Sequence, residues 1–355
     1  MSTKDSHFSR RDFLRHTVIG TVGVGMSLSG LNSLQTAIGS DESPSPPHDK
    51  SKVIAVKNSG IMSGGKPDQK FVQNMVNEGM FTLTGKKTPA EAWRTFFTPK
   101  DVVGIKINPI GGKKLSTQPE VVNTIILGLI AAGVKENNII VWDRFDEHLT
   151  LAGYQINKGN SGIRYYGTEQ TTGYDKAVFY ESEDDDFNLR QNNEVRSFFS
   201  KIVTQQVTAI INVPVMKDHG IAGVTLCLKN IAFGVINNTA RFHPSPYFCD
   251  PATAEVCSHP AIKDKVRLHI VDALQACFSG GPVDMKPQTI WNEEQLFFGT
   301  DPVAIDRIGL EIIDKKRREN NCMSIFQKAK HIATAEKKGL GVFDRKNIEL
   351  IELTI

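Results

Sequence analysis

A chain of 355 residues, 40% apolar and 23% charged, has enough hydrophobic material for a substantial core, which excludes a fibrous or wholly disordered polymer. The formal charge is +3, and residues 1–39 hold four basic side chains (Lys4, Arg10, Arg11, Arg15) against two acidic ones (Asp5, Asp12), so +2 of the total belongs to that segment. The remaining +1 argues against a nucleic-acid partner, which would need a clustered basic excess to neutralise phosphates.

Residues 1–39 read as a targeting segment: SRRDFLRHT at 9–17 precedes a weakly apolar, Gly-rich run without acidic residues. Arg10 and Arg11, with Phe13 and Leu14 following, resemble the twin-arginine export signal. The resemblance implies handling by the twin-arginine translocation machinery, export in the folded state and a periplasmic location. An ordinary secretory signal or a short membrane anchor is the alternative. Small residues at 37–40 suit cleavage; a retained signal would tether the protein to the inner membrane, its one expected membrane association. Export permits disulfides, although five cysteines leave at least one thiol unpaired.

Residues 40–52 are polar and proline-rich and read as a linker, followed by a single large α/β domain over 53–355. VIAVKN at 53–58 predicts a strand and residues 71–85 a helix. The clearest unit is a strand at 102–108, a helix at 119–133 opened by Pro119 and closed by Gly133, and a strand at 138–144, a βαβ pattern. The pattern weakens over 150–198, where EDDD at 183–186 reads as a solvated loop. Strands return at 207–215, 265–274 and 295–300. Helices are predicted at 224–235 and at 301–320, the latter capped by Asp301 and Pro302, and the chain closes on a short helix, a glycine stop and a strand. The expected fold is α/β: a mixed, mostly parallel sheet with helices on both faces.

Ligands of such sheets bind beyond the carboxyl ends of the strands. Polar side chains collect there: Lys106 and Asn108, Asp143 and Arg144, Lys217, Asp218 and His219, and Asp272. Any one of them, taken alone, reads first as a surface charge at a strand terminus. Lysines inside strands this apolar, however, need a counter-ion or a ligand, so Lys106, Asn108, Lys217 and His219 are expected to share a site. On the following helix Thr225 and Lys229 are four apart and share a face, with Asn230 beside them; a snorkelling Lys229 is the alternative. GIAG at 220–223 leads into that helix N-terminus, a place for an anion. SGGP at 279–282 is a turn first and a phosphate cradle second, and Asp306 is expected to point towards the sheet end and a lysine partner.

Residues 241–260 gather His243, Cys249, Cys257 and His259, weak metal-ligand candidates whose spacing matches no tight zinc pair; a Cys249–Cys257 disulfide or unpaired thiols are the other readings. The chain has no iron–sulfur run of cysteines, no dinucleotide fingerprint, no P-loop and no hydrolase elbow, so the cofactor is left unknown.

VGIKIN, NVPVMKDHGIAGVTLCLKN, RFHP, a strand-borne Asp followed by GGP, and DPVAIDRIG, in this order, resemble the bacterial and archaeal family called domain of unknown function 362, from about residue 53 to the C-terminus. Some relatives carry a ferredoxin-like segment, implying electron transfer for those members; this chain lacks it. The resemblance implies a fold and a site but no reaction, and oxidoreductase or metal-binding roles stay open.

The expectation is an exported enzyme acting on a small anionic or carbonyl-bearing substrate. His219, Lys217 and Lys229 would do chemistry, with His219 titrating nearest neutrality; Lys106, Asn108, Thr225, Asn230, His243, Asp272 and Asp306 would bind substrate. A non-catalytic periplasmic binder of a small anion or metal is the main alternative, and an assembly factor with an exposed apolar patch a third.

Overall fold

The computed structural model describes residues 50–62, 65–182 and 196–355. The segment expected to be an export signal, most of the expected linker and the acidic run at 183–186 lie outside the described residues. The folded body begins slightly before the expected boundary, because Ser51 and Lys52 already belong to the first strand.

Eight strands form the spine of the main sheet. They are β1 (Ser51–Lys57), β2 (Val103–Ile107), β3 (Ile139–Asp143), β4 (Arg164–Gly167), β7 (Ala209–Val213), β10 (Val266–Cys277), β11 (Ile290–Gly299) and β12 (Ile348–Thr354). Their order is β12-β1-β11-β10-β7-β2-β3-β4, and β8 (Val215–His219) extends the sheet from β10 and pairs with the two-residue β9 (Gly223–Val224). Strands β5 (Tyr174–Tyr180) and β6 (Ser197–Ser200) form a separate antiparallel pair. Neighbours from β10 through β7, β2 and β3 to β4 are parallel, whereas β11 runs antiparallel to both β10 and β1. The sheet is therefore mixed and mostly parallel.

Both faces are covered, as the uniformly apolar strands require. One face carries α1 (Gln69–Thr84), α2 (Pro89–Arg94) and α3 (Pro119–Ala132), packed on Val103, Ile105 and Ile107 of β2 and on their neighbours in adjacent strands. Beyond β3 the chain turns into α4 (Asp146–Leu151). The other face carries α5 (Leu226–Gly234), α6 (Ala252–Ser258), α7 (Pro302–Glu319) and α8 (Lys330–Lys337). Helix ends follow the sequence signals. Pro119 opens α3, Gly133 closes it at φ 100°, and the Asp301 carboxylate accepts from the Val303 and Ala304 amides at 2.9 Å each.

Two local features place the polar residues. Strand alternation sends Val103, Ile105 and Ile107 to the first face and Lys106 to the second, where cross-strand register sets Lys106 beside Asn212 of β7 and Asn212 beside His269 of β10. A polar row thus crosses an otherwise apolar face, directly under α5. The second feature is Pro214, which lacks an N–H and separates β7 from β8. The segment after it, VMKDH, is a fully buried strand that continues past the expected strand end at 215.

Candidate functional site

Strand β8 has a period of two, so Lys217 and His219 point to one side and Asp218 to the other. Asp218 leaves the site: its carboxylate accepts from the Gly281 amide at 2.8 Å and the Gly280 amide at 3.2 Å, with Arg317 at 3.8 Å. The SGGP turn therefore cradles a carboxylate of the protein itself and no phosphate.

Lys217 and His219 face a cavity of about 170 Å³, walled also by Lys106, Asn108, Asp143, Arg144, Thr225, Lys229, Asn230, Phe233 and His243. That is close to the ~150 Å³ that encloses one benzene ring, a space that suits a small metabolite. Lys106, Asn108, Lys217, His219, Thr225, Lys229, Asn230 and His243 come together here as the sequence suggested.

The amides form a directed chain. Lys217 Nζ donates to Asn108 Oδ1 at 2.6 Å, and Asn108 Nδ2 to Asn230 Oδ1 at 2.8 Å. Asn230 Nδ2 then donates to Asn212 Oδ1 at 2.8 Å, and Asn212 Nδ2 to the Cys227 carbonyl at 2.8 Å, with His269 Nδ1 at 3.1 Å. Each amide has its oxygen and nitrogen committed, so each is fixed in orientation. Asn212 and His269 were not anticipated as part of the site; their signal was the register, which places them in the row of Lys106.

The three lysines differ. Lys106 is 1% exposed, pairs with Asp143 at 2.6 Å and donates to the Ile107 carbonyl at 2.7 Å; burial lowers its pKa and Asp143 opposes the shift. Gly234 of α5 makes room for it, since a Cβ there would overlap Lys106 Cε. Asp143, noted in the sequence only as a strand-end charge, is thus the partner of a site lysine. Lys217 is 0% exposed and makes no ion pair among the described residues; burial lowers its pKa to about 7. Lys229 likewise makes no ion pair among the described residues. Its Nζ lies 4.1 Å from the Phe233 ring centroid and 3.5 Å from His243 Nε2, and burial lowers its pKa to about 8. Arg144 is already engaged, with Glu169 at 3.2 Å and Thr239 Oγ1 at 3.0 Å.

The two histidines have opposite tautomers. His219 Nδ1 accepts from the Ala222 and Ile221 amides at 3.1 and 3.3 Å, so the proton of the neutral ring is on Nε2. His243 Nδ1 lies 3.0 Å from the Thr239 carbonyl and must donate to it, which leaves Nε2 as an acceptor for Lys229. Burial first, and then the neighbouring Lys229, depress both rings: His243 falls to about 4 and His219 further. His219 is therefore neutral at physiological pH, a fixed hydrogen-bond donor. This corrects the expectation that it titrates near neutrality.

Asp272 and Asp306 do not line the cavity. Asp272 accepts from the Gln118 amide at 2.7 Å and the Leu274 amide at 3.1 Å, and burial raises its pKa to about 7. Asp306 of α7 accepts from the Cys227 amide at 2.6 Å and the Leu228 amide at 3.0 Å, and so caps α5; burial raises its pKa to about 8. Its partners are backbone amides, not a lysine. The N-terminal anion position of α5, expected to await a ligand after GIAG, is filled by this carboxylate. Thr225 stands at the α5 N-cap but makes no cap bond, and its Oγ1 has no hydrogen-bond partner among the described residues. Leu226 follows at φ 45°, a left-handed conformation that is strained for a leucine.

The metal candidates do not converge. His243 lines the cavity, Cys257 Sγ lies 3.4 Å from the Leu228 carbonyl, and His259 packs on Phe199 with ring centroids 4.4 Å apart. Among the described residues no three His, Cys, Asp or Glu side chains are placed to hold a metal ion. Cys249 and Cys257 are both unpaired and buried, so the disulfide reading is corrected.

A family profile described as Domain of unknown function (DUF362) matches residues 103–311, more than half of the chain and all of the cavity's main residues. Among solved structures, one of a protein from Thermotoga maritima is similar at 10% identity and a TM-score of 0.43, over 77% of this chain and 60% of that one. The chain thus spans about 60% of that protein's length. It matches no curated protein.

Proposed function

The chain belongs to the domain of unknown function 362 family, and from that premise we propose that its cavity binds a small anionic substrate, one carrying a carboxylate or phosphate and, beside it, a carbonyl. The observation that carries this reading is the pair Lys217 and Lys229: two buried amines without an ion pair among the described residues, on the wall of one cavity. An unpaired buried ammonium costs several kcal/mol, and an anion would offset that cost. The unpartnered Thr225 hydroxyl and the His219 Nε2–H supply neutral donors to the same ligand. His219 is suited to polarising a carbonyl rather than to shuttling protons, because its ring stays neutral.

Thermal unfolding tests the reading. At constant ionic strength, phosphate, oxalate and pyruvate should raise Tm where glycerol does not, and Lys229→Met should lose most of that rise. Equal shifts in wild type and Lys229→Met would refute it. In our reading this chemistry belongs to the periplasm, delivered by residues 1–39. Replacing Arg10 and Arg11 by lysines should retain the protein in the cytoplasmic fraction, and unchanged export would remove that part of the proposal.

A further inference from the structure

We propose that Lys217 is an amine nucleophile that forms an imine with the carbonyl carbon of a small 2-oxo acid whose carboxylate is held by Lys229. The inference rests on the anion-binding reading of the same cavity and assigns its substrate class.

Geometry separates the three amines. Lys106 is held as a cation by Asp143 at 2.6 Å, and Lys229 already faces His243 Nε2 and the Phe233 ring. Lys217 has one acceptor, Asn108 Oδ1 at 2.6 Å, and that oxygen cannot turn away, because Asn108 Nδ2 is committed to Asn230. An uncharged amine can donate one hydrogen to Asn108 and keep its lone pair for carbon. A buried amine with other cations beside it favours the uncharged form, the arrangement by which amine nucleophiles are activated. The lowered pKa of Lys217 agrees with this placement. The His219 Nε2–H, fixed by the two amides on Nδ1, is a donor for the carbonyl oxygen.

The step balances without any further reagent. The Nζ lone pair forms the C–N bond while the C=O π pair moves to oxygen, and one amine proton passes from nitrogen to that oxygen, giving a carbinolamine. The nitrogen lone pair then forms the C=N bond as the C–O bond breaks, and the departing hydroxide takes the second amine proton and leaves as water. His219 hydrogen-bonds the oxygen throughout and undergoes no net change.

The full chain is incubated with pyruvate, treated with borohydride, and analysed by intact mass and peptide mapping. The expected result is one reduced adduct per molecule, mapped to Lys217, suppressed by prior addition of phosphate and absent from Lys217→Met. Label on Lys106 or Lys229, or scattered over exposed lysines, overturns the proposal. So does an adduct of undiminished yield in Lys217→Met. Should that variant fail to fold, the mapping on the wild-type chain decides alone. Anion-dependent stabilisation with no Lys217 adduct would overturn the imine and leave the anion reading intact. An adduct on Lys217 that phosphate does not suppress would sustain the imine and count against the anion reading.

Discussion

Two groups of buried ionisable side chains lie within one fold and are treated in opposite ways. Asp218, Asp272 and Asp306 are buried, and each receives two backbone amides; Asp306 also completes a helix terminus. Lys217 and Lys229 are buried as deeply and receive no carboxylate among the described residues. Backbone amides are directional and permanent, so the aspartates are part of how the chain folds. The lysines are an unpaid desolvation cost that a ligand can relieve, which is where function is to be sought.

Breaking the first group should produce the largest effect. Asp306→Ala leaves the Cys227 and Leu228 amides buried without acceptors, at ~1–3 kcal/mol for each donor, and should lower stability in urea titration by ~2–6 kcal/mol. Gly234→Ala drives a methyl into Lys106 and should cost ~1–3 kcal/mol by overpacking. It should also weaken anion binding, since Lys106 can then no longer hold Asp143 in place.

Breaking the second group should act in the other direction. Lys217→Met should abolish pyruvate capture and yet raise the Tm of the free protein. The sign follows from the depressed pKa. Folded Lys217 titrates at about 7 and the unfolded side chain near its ordinary 10.5, so in that window the unfolded chain binds more protons and the wild type gains stability as pH rises. The advantage of methionine should be full at pH 6 and shrink towards pH 10 in paired melts. Anion affinity has the same origin. Lys217 faces Asp143, Cys277, Lys106 and Lys229, and its proton and that of Lys229 are lost near 7 and 8, so phosphate binding should weaken by up to about tenfold per pH unit per lysine above those values. The smallest effect is reserved for Phe233→Leu, which removes the aromatic face 4.1 Å from Lys229 and should cost ~0.5–2 kcal/mol of stability, read by urea titration.

Much of this site was legible in sequence because its polar residues stand out at the ends of apolar runs. The shared side of Lys217 and His219 was not, since it comes from β8 beyond the expected strand end, and Thr225 reaches the cavity from the N-cap of α5 and not from its face. Asp272 and Asp306 were misplaced for a definite reason: a carboxylate has the same chemistry whether it meets a lysine or a pair of amides, and only the fold shows which is near. Asn212 and His269 were missed because their place comes from cross-strand register, which links residues far apart in the chain.

The chain alone determined the helix boundaries at Pro119, Gly133 and Asp301, the layered mostly parallel sheet, and the small set of amines and amides gathered near its strand ends. Those follow from periodicity and capping, which act over a few residues. Only the tertiary structure decided which buried charges are satisfied and which are left for a ligand. Pairing energies depend on distances of a few ångströms between β2, β3, β8, α5 and α7, and the packing of those elements sets every one of them.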